Sequence, residues 1–475
     1  MELIVGMGQT GFSAGRFFQR RGVPFVGADT RGAAAPREQW QRAFGERTLF
    51  EGDLTADPSL AGIEGIVLSP GVDPSQAGIA ALLDSARGQG IPVRSDIELA
   101  ARNAEVPYLM ITGSNGKSTV TALTAELLDA LGYRVAVGGN YGTPALDLLA
   151  RPCDVMVLEV SSFQMESSDP DAIRPKVAAV LNISPDHLDR HGSLATYAAL
   201  KARVLVHAET AVVNLDDPWV AAMAGDCEGR VLGFSTTAGS AEARVAVGFH
   251  LDEDGRNLCR DGGTIIAADA LALPGRHNRL NVLATLALVE GVAGKEALDS
   301  PDLHRALRRF EGLPHRMQAI CQWSVDGGEI RFVNDSKATN VGAAVAAIEG
   351  LSEPTVVVAG GQAKGQSFEA LAESLARHAL AVVLIGEDAA LIESAIRRLP
   401  ATAPDIHHAA DMAQAVSRAT ECAVIGLGQA PRVTVLLAPA CASFDMFRGY
   451  AERGERFARA AEAVCARGME TEVAS

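Results

Sequence analysis

The sequence predicts an α/β protein, because apolar strand-like stretches alternate with helix-like stretches along most of the chain. Two of the early strands run into glycine-rich turns that open a helix, the arrangement that holds phosphate groups in doubly wound parallel sheets. The chain has 475 residues, more than one hydrophobic core usually accommodates, so we expect two to four domains.

The bulk composition argues against several classes of protein. The formal net charge of −16 disfavours a nucleic-acid binder and adhesion to an anionic membrane surface. No apolar run reaches the roughly 18 residues that a membrane span needs, and the first residues form a strand rather than a basic signal segment. The seven cysteines are scattered without a C-x-x-C pair, which favours reduced thiols over a disulfide framework or a zinc site. We therefore expect a soluble cytoplasmic protein.

The chain opens with a short apolar strand, residues 2–5, and then spells G-x-G-x-x-G from Gly6 to Gly11. A helical pattern follows, and a second strand ends at Asp29, the acid that this dinucleotide-binding pattern places after its last glycine. The pattern suits any ligand with a pyrophosphate and a hydroxyl-bearing end, so a nicotinamide or flavin enzyme and a purely structural turn both stay open. A further buried strand ends at residues 69–71, at the sheet edge where such folds bind ligands.

The second glycine-rich turn is the strongest motif of the chain. Apolar residues 109–112 run into the loop Gly113-Ser114-Asn115-Gly116-Lys117-Ser118, and a helical pattern follows at once. In such a loop backbone N–H groups converge on phosphate oxygens, Lys117 reaches the outer phosphates and the Ser118 hydroxyl ligates Mg²⁺. The usual pattern has a further glycine where this chain has Ile111, so the loop is shorter. An ordinary strand-to-helix turn is the alternative to the nucleoside triphosphate site that we infer.

Two further core strands deliver acids and a histidine. A buried strand over 155–159 ends in Glu159, which suits a second ligand of Mg²⁺ next to a phosphate loop. The alternative is a strand-end acid that caps the following turn. The next strand, over 177–183, delivers Asp186 and His187, and we expect His187 to contact metal or substrate rather than to be purely structural.

Three other central residues are candidates for ligand contact, and two of them have a structural alternative. Lys201 lies on an apolar helical turn, where a lysine usually extends its amine to water. A buried neutral lysine can instead react with carbon dioxide to give a carbamate, an oxygen ligand for metal. Asn278 and Asn281 lie on one face of a long helix, where their amides can pair with adenine, although Asn278 can equally be the helix N-cap.

A loop over 310–317 leads to a second series of alternating strands and helices, which predicts another doubly wound sheet. Polar side chains follow several of its strands, as a ligand site at the carboxyl edge requires. These are Asp335, Lys337, Thr339, Lys364 and Ser443. Two lysines, a threonine and a serine suit a small dicarboxylate.

Motifs in order across nearly the whole chain resemble those of the Mur ligases. They occupy residues 111–119, 158–164, 186–190, 275–278, 313–316, 334–340 and 438–443. The shortened phosphate loop is also the form that the family has. Two positions depart from the family pattern, since Gln-Ala stands before Lys364 in place of a more usual Asp-Gly, and Tyr450 stands where the family often has Phe.

The resemblance implies a Rossmann-like N-terminal domain over 1–95 for a UDP-sugar, a central P-loop mononucleotide-binding ATPase domain over 96–312 and a Rossmann-like C-terminal domain over 313–475 for an amino acid. It also implies the reaction, a step of peptidoglycan precursor synthesis. ATP would phosphorylate the carboxylate of UDP-N-acetylmuramoyl-L-alanine (UDP-MurNAc-L-Ala), and the amine of D-glutamate would attack the acyl phosphate, leaving ADP and phosphate. A carboxylate is a poor electrophile, and Mg²⁺ with Lys117 would disperse the charge of the transferring phosphoryl group.

The resemblance also implies roles for individual residues. The residues implied for ATP binding are Gly113, Ser114, Asn115, Gly116, Lys117, Ser118, Thr119, Asn278, Asn281, Arg316 and Asp335. Those for the UDP-sugar are Thr10, Asp29, Thr30, Arg31, Ser69, Pro70, Gly71, Asn140, Ser161 and Gln164. Those for D-glutamate are Lys337, Thr339, Lys364, Ser443 and Phe444. Two Mg²⁺ sites are implied, the first with Ser118 and Glu159 and the second with His187 and a carbamylated Lys201, and Lys117, Glu159, His187 and Lys201 would be the catalytic set.

Three rival functions remain to be compared. A ligase like folylpolyglutamate synthase also adds glutamate, but its chain starts on the ATPase domain, whereas here a Rossmann-like front of 95 residues precedes it. An NAD-dependent oxidoreductase would rest on the turn from Gly6 to Gly11 alone. A non-enzymatic nucleotide-binding regulatory module would form no amide product with any acceptor. The ligase, acting as a monomer, is the function that we expect.

Overall fold

A computed structural model describes residues 1–29, 34–45, 49, 60–238, 247–273, 275–325, 327–363, 365–399 and 403–473. The chain forms two compact units. The first comprises Met1–Ile183, Ala195–Ala270 and Leu280–Arg309, and the second comprises Ser184–Leu194, Leu271–Arg279 and Phe310–Ser475. Among the described residues, no helix has the length and apolar character needed to cross a bilayer. The domain boundaries after residues 95 and 312 stay predictions.

The N-terminal part of the first unit is a parallel sheet with helices. Its elements are β1 (Glu2–Val5), α1 (Gln9–Arg21), β2 (Phe25–Ala28), α2 (Ala34–Phe44), β3 (Gly65–Leu68), α3 (Ala77–Gly88), β4 (Val93–Arg94) and α4 (Asp96–Asn103). Within the described residues the strand order is β2-β1-β3-β4. Residues 3–5 of β1 and 66–68 of β3 are apolar and buried, as strands covered on both faces require.

The larger part of the first unit is built on a second sheet. Its strands are β5 (Tyr108–Thr112), β6 (Val135–Gly139), β7 (Val155–Glu159), β8 (Val177–Val180), β9 (Thr210–Asn214), β10 (Arg230–Ser235), β11 (Val247–Leu251), β12 (Asn257–Arg260) and β13 (Gly263–Ala267). The helices over the same stretch of sequence are α5 (Lys117–Ala130), α6 (Ala145–Leu148), α7 (Ser162–Glu166), α8 (Leu188–His191), α9 (Leu194–Ala202), α10 (Pro218–Met223), α11 (Arg276–Ala293) and α12 (Pro301–Arg309). Of these, α8 and the first turn of α11 belong to the second unit. The described strands lie in the order β13-β12-β11-β10-β9-β8-β5-β7-β6. Strand β5, which leads into the phosphate loop, therefore lies between β7 and β8.

The second unit has a sheet of its own. Its elements are β14 (Gln318–Val325), β15 (Gly328–Asn334), α13 (Val341–Glu349), β16 (Thr355–Gly360), α14 (Glu369–His378), β17 (Ala379–Ile385), α15 (Ala389–Arg397), β18 (Asp405–His408), α16 (Met412–Gly426), β19 (Arg432–Leu437) and α17 (Tyr450–Val473). The described strands lie in the order β14-β15-β19-β16-β17-β18, all parallel to their neighbours except β14. Buried apolar clusters line both faces of the sheet, so the prediction of a second doubly wound sheet is confirmed.

Three expectations about local structure are wrong. The strand predicted over 177–183 ends at Val180, because the next residues turn to contact the phosphate loop. Asn278 is not an N-cap, since helix α11 already begins at Arg276. Cys321 of β14 and Cys465 of α17 form a disulfide with a Cα–Cα distance of 6.8 Å, whereas scattered cysteines predicted reduced thiols. Proximity across 144 residues of sequence cannot be read from spacing.

Polar contacts join the two sheets of the first unit. Arg16 of α1 binds the carboxylate of Asp147 with two hydrogen bonds, from Nε at 3.1 Å and Nη2 at 2.5 Å. Helix α4 lies between the sheets in the sequence, and its buried Asp96 accepts from Gln164 Nε2 at 3.1 and 3.2 Å. Charge-assisted pairs of this kind fix orientation as well as distance.

Candidate active site

The phosphate loop lies between the end of β5 and the start of α5. Gly113 has φ +150° and Gly116 has φ +83°, values at which a side chain would be strained. The intervening turn points the first N–H groups of α5 outward from the helix, where its partial positive charge attracts anions. The Nζ of Lys117 donates to the carbonyls of Gly113 and Ser114, each at 2.8 Å, so the amine lies over the loop. This geometry supports the predicted phosphate site.

Helix α11 closes one side of the same loop. A Cβ built on Gly116 would lie 2.5 Å from Asn281 Oδ1, so only glycine leaves room for this amide. Asn281 is buried, and Ser118 and Thr119 at the start of α5 are buried as well. The amide predicted to face adenine is therefore packed against the backbone of the phosphate loop.

Glu159 ends the strand next to β5, and its Cα pairs with that of Ile111. Oε1 accepts from Asn140 Nδ2 at 2.7 Å, whereas Oε2 is buried and has no hydrogen-bond partner among the described residues. The alternative role as a cap of the following turn is wrong, because Ser161 caps α7. A buried carboxylate oxygen without a donor is costly unless a cation satisfies it, so this oxygen suits Mg²⁺.

Within the described ranges, no group of three or more His, Cys, Asp and Glu side chains comes together in the manner of a metal centre. Mg²⁺ does not need such a group, because it commonly binds one or two carboxylates together with substrate phosphates and water. The donor set of Ser118 and Glu159 provides the hard oxygen atoms that this ion prefers.

Lys201 of α9 is only 1% exposed, so it does not extend its amine to water. Its Nζ donates to Gly113 O at 2.9 Å and to Thr112 Oγ1 at 3.4 Å. The same nitrogen lies 4.5 Å from the centroid of the Tyr197 ring. The amine therefore lies against the residues that open the phosphate loop.

The N-terminal sheet holds its predicted ligand residues at one edge. Asp29, after β2, accepts from the backbone N–H of Met7 at 2.7 Å, and Ser69, after β3, donates to Gly6 O at 3.0 Å. The structure thus brings Asp29 and Ser69 to the first glycine-rich turn, and Thr10 lies in the first turn of α1 that follows it. Pro70 and Gly71 form the turn after β3. Thr30 and Arg31 lie outside the described residues.

Ser161 and Gln164 are fixed at the start of α7. Gln164 Oε1 accepts from the Ser161 N–H at 3.0 Å, and the Gln164 N–H donates to Ser161 Oγ at 3.2 Å. The carboxylate of Asp96 can only accept, so it sets which end of the Gln164 amide faces Ser161. Burial raises the pKa of Asp96 to about 6, and the bond from Gln164 opposes this shift.

The second unit carries His187, which has φ 54° and is the N-cap residue of α8. Its Nε2 lies 3.7 Å from Asp186 Oδ2, and the same oxygen accepts from Asn340 Nδ2 at 3.1 Å. A left-handed backbone at a residue with a bulky side chain is uncommon and is often found at functional positions. The predicted histidine therefore belongs to a defined polar cluster.

Asp335 follows β15 and accepts from the Met317 N–H at 3.2 Å. Burial raises the pKa of Asp335 to about 6, while the nearby positive charge of Arg316 lowers it. The two residues that the motifs pair for phosphate and ribose are therefore close enough to influence each other. Asn278 is buried in the first turn of α11.

The start of α17 supports the residues predicted for the amino acid. The Lys337 Nζ lies 3.9 Å from the centroid of the Tyr450 ring, a cation–π contact. Ser443, after β19, is 2% exposed, whereas Phe444 is 71% exposed. Thr339 is half-buried. Lys364 lies outside the described residues.

Arg453 is a buried residue that sequence reasoning missed. Its guanidinium donates to Ser336 Oγ and O at 3.0 and 2.8 Å and to the carbonyls of Cys441 and Ala442 at 3.0 and 3.3 Å. Burial lowers the pKa of Arg453 to about 10. It joins the loops after β15 and β19, but in the sequence it stands in a run of charged residues that resembles a solvent-exposed helix face.

Comparison with known proteins gives the family. Three family models match in chain order: Mur ligase MurD-like, N-terminal domain, over residues 1–94, Mur ligase middle domain over 111–289, and Mur ligase, glutamate ligase domain, over 315–441. The UDP-N-acetylmuramoylalanine–D-glutamate ligase of Marinobacter nauticus is 41% identical over 458 residues, 96% of each chain. That of Chromohalobacter salexigens is 41% identical over 463 residues, 96% of this chain and 95% of that one.

Solved structures with the same fold share less sequence. A pseudomurein peptide ligase type C from Methanothermus fervidus has TM-score 0.57 at 17% identity, and 98% of this chain and 99% of that one are covered. The UDP-N-acetylmuramate-alanine ligase MurC of Thermotoga maritima has TM-score 0.55 at 16% identity with the same coverage. Folylpolyglutamate synthase of Mycobacterium tuberculosis, complexed with ADP, has TM-score 0.54 at 18% identity but covers 76% of this chain. The three-part match and the relatives that span nearly the whole chain confirm the resemblance, and the chain belongs to the Mur ligase family.

Proposed function

We propose that the chain ligates D-glutamate to UDP-MurNAc-L-Ala at the expense of ATP, in the synthesis of peptidoglycan precursors. The observation that carries this proposal is identity of 41% to ligases of that name over 96% of the chain. The glycine-rich phosphate loop is present, and residues 1–94 match the MurD-like N-terminal domain model. ATP dependence follows from membership of the family.

The chemistry has two steps that balance without a further reactant. A carboxylate oxygen of the muramoyl-alanine attacks the γ-phosphorus of ATP, the bond from that phosphorus to its bridging oxygen breaks, and ADP leaves. The amine of D-glutamate then attacks the acyl carbon, loses a proton and expels phosphate, which leaves an amide. Activation precedes amide formation because a free carboxylate does not accept an amine at neutral pH.

In the first unit we assign the phosphates to residues 113–119. The carbonyls of Gly113 and Ser114 hold the Lys117 amine over the loop, where its charge offsets that of the transferring phosphoryl group. Ser118 and Glu159 would hold Mg²⁺, which supplies charge neutralisation at the phosphates when bound. The partnerless Oε2 of Glu159 supports this assignment.

Lys201 is proposed to carry a carbamate. Its neutral amine would form a bond to the carbon of carbon dioxide and release one proton, giving an anionic oxygen ligand for a second Mg²⁺. The burial of Lys201 against Gly113 and Thr112 supports an unusual lysine, since solvent-exposed amines stay protonated. His187 as a ligand of the second ion, and Asn278, Asn281, Arg316 and Asp335 as nucleotide contacts, stay predictions.

The UDP-sugar is assigned to the N-terminal sheet. Asp29 and Ser69 hold the first glycine-rich turn in place, which supports a pyrophosphate site there. Thr10, Pro70 and Gly71 border the same turn. Ser161 and Gln164 are proposed for the muramoyl group. Asn140 orients the Glu159 carboxylate, and this supports the placement of Asn140 near the reacting carboxylate of the UDP-sugar substrate.

D-glutamate is assigned to the second unit. Lys337, Thr339, Ser443 and Phe444 would bind it together with Lys364, and two cationic amines suit two carboxylates. The support is that Arg453 joins the loops carrying Lys337 and Ser443. We also propose a cytoplasmic location, where ATP and nucleotide-linked sugars are available, and the monomeric state stays a prediction.

The function is tested with the purified protein, ATP, Mg²⁺, UDP-MurNAc-L-Ala and D-glutamate. We expect one phosphate released per amide formed, with release dependent on both acceptor and amino acid. L-glutamate in a parallel assay tests stereochemistry, and Lys117→Ala is the control for the nucleotide site. Absence of amide product, or hydride transfer with a nicotinamide cofactor, would overturn the proposal.

A further inference from the structure

The structure assigns Asn182 a positioning role in the phosphate loop, which no sequence motif indicated. The side chain pairs with the backbone of Asn115 in both directions: the Asn115 N–H donates to Asn182 Oδ1 at 2.8 Å, and Asn182 Nδ2 donates to Asn115 O at 3.1 Å. The backbone adds a third bond, because the Ser114 N–H donates to Asn182 O at 2.9 Å. One residue therefore holds both loop residues between the two glycines.

These three bonds fix three consecutive peptide planes. In a trans peptide the C=O and N–H groups of one plane point in opposite directions. The bonds of the Ser114 and Asn115 N–H groups to Asn182 thus turn the carbonyls of Gly113 and Ser114 away from it. Those are the two carbonyls that accept from Lys117 Nζ, each at 2.8 Å. Asn182 therefore sets the position of the Lys117 amine without touching it.

The third peptide plane contains the Gly116 N–H, a hydrogen-bond donor. Since Asn115 O accepts from Asn182, the N–H of Gly116 in the same plane points the opposite way. Gly116 precedes α5 and has φ +83°, so its N–H belongs to the first group of donors at the helix start. Orientation of such donors before the ligand arrives is the main contribution that a protein makes at a phosphate site.

A second set of contacts holds the residues on either side of Asn182. The adjacent Leu181 N–H donates to Thr112 O at 3.0 Å, and Asn214 Nδ2 donates to Leu181 O at 2.8 Å. The Ile183 N–H donates to Asp217 Oδ2 at 2.7 Å. Backbone bonds thus continue the ladder between β5 and β8 past the strand ends, and the side chains of Asn214 and Asp217 hold the segment after β8. Asn214 provides a matched control, because it braces this segment but makes no contact with the loop.

The inference rests on the proposed role of residues 113–119 in nucleotide binding, and the test separates the two. ADP affinity of the full-length protein is measured by titration calorimetry for the wild type, Asn182→Ala, Asn182→Asp and Asn214→Ala. The Michaelis constants for ATP and for D-glutamate are measured beside it. Wild-type protein that does not bind ADP would overturn the proposed nucleotide site and the inference with it.

With wild-type binding established, we expect Asn182→Ala to raise the Kd of ADP and the KM of ATP about tenfold, as the loss of two oriented hydrogen bonds implies. Asn182→Asp keeps the acceptor for the Asn115 N–H but places a negative charge against Asn115 O and near the phosphates. It should therefore weaken ADP binding more than Asn182→Ala does. The KM of D-glutamate should change less than twofold. Asn214→Ala should lower the unfolding temperature yet leave ADP affinity within twofold.

Either of two results would overturn the positioning role while leaving the nucleotide site intact. One is wild-type ADP affinity in a folded Asn182 variant, and the other is an equal loss in Asn214→Ala. If Asn182→Ala does not fold, Asn182→Leu decides the question, because it keeps the approximate volume of the side chain, carries no charge and lacks both hydrogen-bonding groups. A loss confined to kcat, with ADP affinity unchanged, would count against the inference as well.

Discussion

Glu159 and Asp96 are two buried carboxylates of the first unit that differ in what satisfies them. Glu159 has one oxygen bound by Asn140 and one without a partner, whereas both oxygens of Asp96 accept from Gln164. A buried acid of the first kind suits a cation, and one of the second kind suits the orientation of an amide. The sequence located Glu159 because it ends an apolar strand, but it offered no reason to select Asp96, which looks like an ordinary acid in the first turn of a helix.

Glu159→Gln should show whether the negative charge of residue 159 is needed, because the substitution keeps the size of the side chain. The amide keeps an oxygen for Asn140 Nδ2 but removes the anionic charge, so the variant should lose about a hundredfold or more in kcat/KM and require more Mg²⁺ for half-maximal rate. Phosphate release measured against MgCl₂ concentration provides the check, with the exposed Glu126→Gln as the control. An unchanged Mg²⁺ dependence would refute Glu159 as a ligand.

Asp96 should make stability depend on pH. Its pKa in the folded protein is raised from 3.8 to about 6, so between these values the folded state binds more protons than the unfolded state. The unfolding free energy should therefore rise as pH falls from above 6 towards 4, by up to about 3 kcal/mol from this residue. Urea unfolding at several pH values should show a smaller rise for Asp96→Asn. Asp335→Asn is a parallel case, since its pKa is also raised to about 6.

At the scale of the element, helix α17 performs a task that its sequence does not reveal. Its first turns supply the Tyr450 ring to Lys337, the Tyr450 carbonyl to Ser336 Oγ at 2.7 Å and the Arg453 guanidinium to four acceptors. The loops that follow β15 and β19 are thus shaped by a helix that comes after both. Strand and helix positions were predictable from apolar periodicity, whereas this support was not, because it depends on contacts between residues distant in sequence.

Arg453→Met should show what this support contributes. The change keeps much of the volume but leaves the carbonyls of Ser336 and Cys441 buried without their donor, so we expect a loss of about 3 kcal/mol in unfolding free energy. The KM of D-glutamate should rise while that of ATP changes little. Arg456→Met, three residues later on the exposed face, should change stability by less than about 0.5 kcal/mol. Equal effects of the two variants would contradict the buried role.

For the whole molecule, the sequence predicted the three sheets and most of the strands and helices that form them along the chain. Glycine-rich turns and apolar strands are local signals, so they can be read from the sequence. It did not predict the strands β11 to β13, whose short alternating pattern resembles loop, or the contact of Asn281 with Gly116. Long-range pairs, including Cys321 with Cys465, become visible only once the chain is folded. The family motifs indicated most of the candidate site residues. The structure then identified further residues whose contacts hold these candidates in position.

The disulfide gives a prediction for the C-terminal part of the chain. Thiol labelling of denatured, unreduced protein should find the five free cysteines, and all seven should react after reduction. Because the bond spans 144 residues, its loss should lower the unfolding free energy by up to about 5 kcal/mol in the chain-entropy account. Cys465→Ala tests this by thermal unfolding, with Cys422→Ala as the control. Seven reactive thiols before reduction would refute the bond.

The amide of Asn281 occupies the space that a Cβ on Gly116 would need, and this has a consequence for inheritance and for design. A side chain at 116 would meet this amide and would also have to adopt a φ of +83°, while a shorter residue at 281 would leave a gap beside the glycine. We therefore expect variation at residue 116 to be restricted whatever residue stands at 281. Anyone who grafts the glycine-rich segment onto a new scaffold must therefore transplant the asparagine from the distant helix together with it.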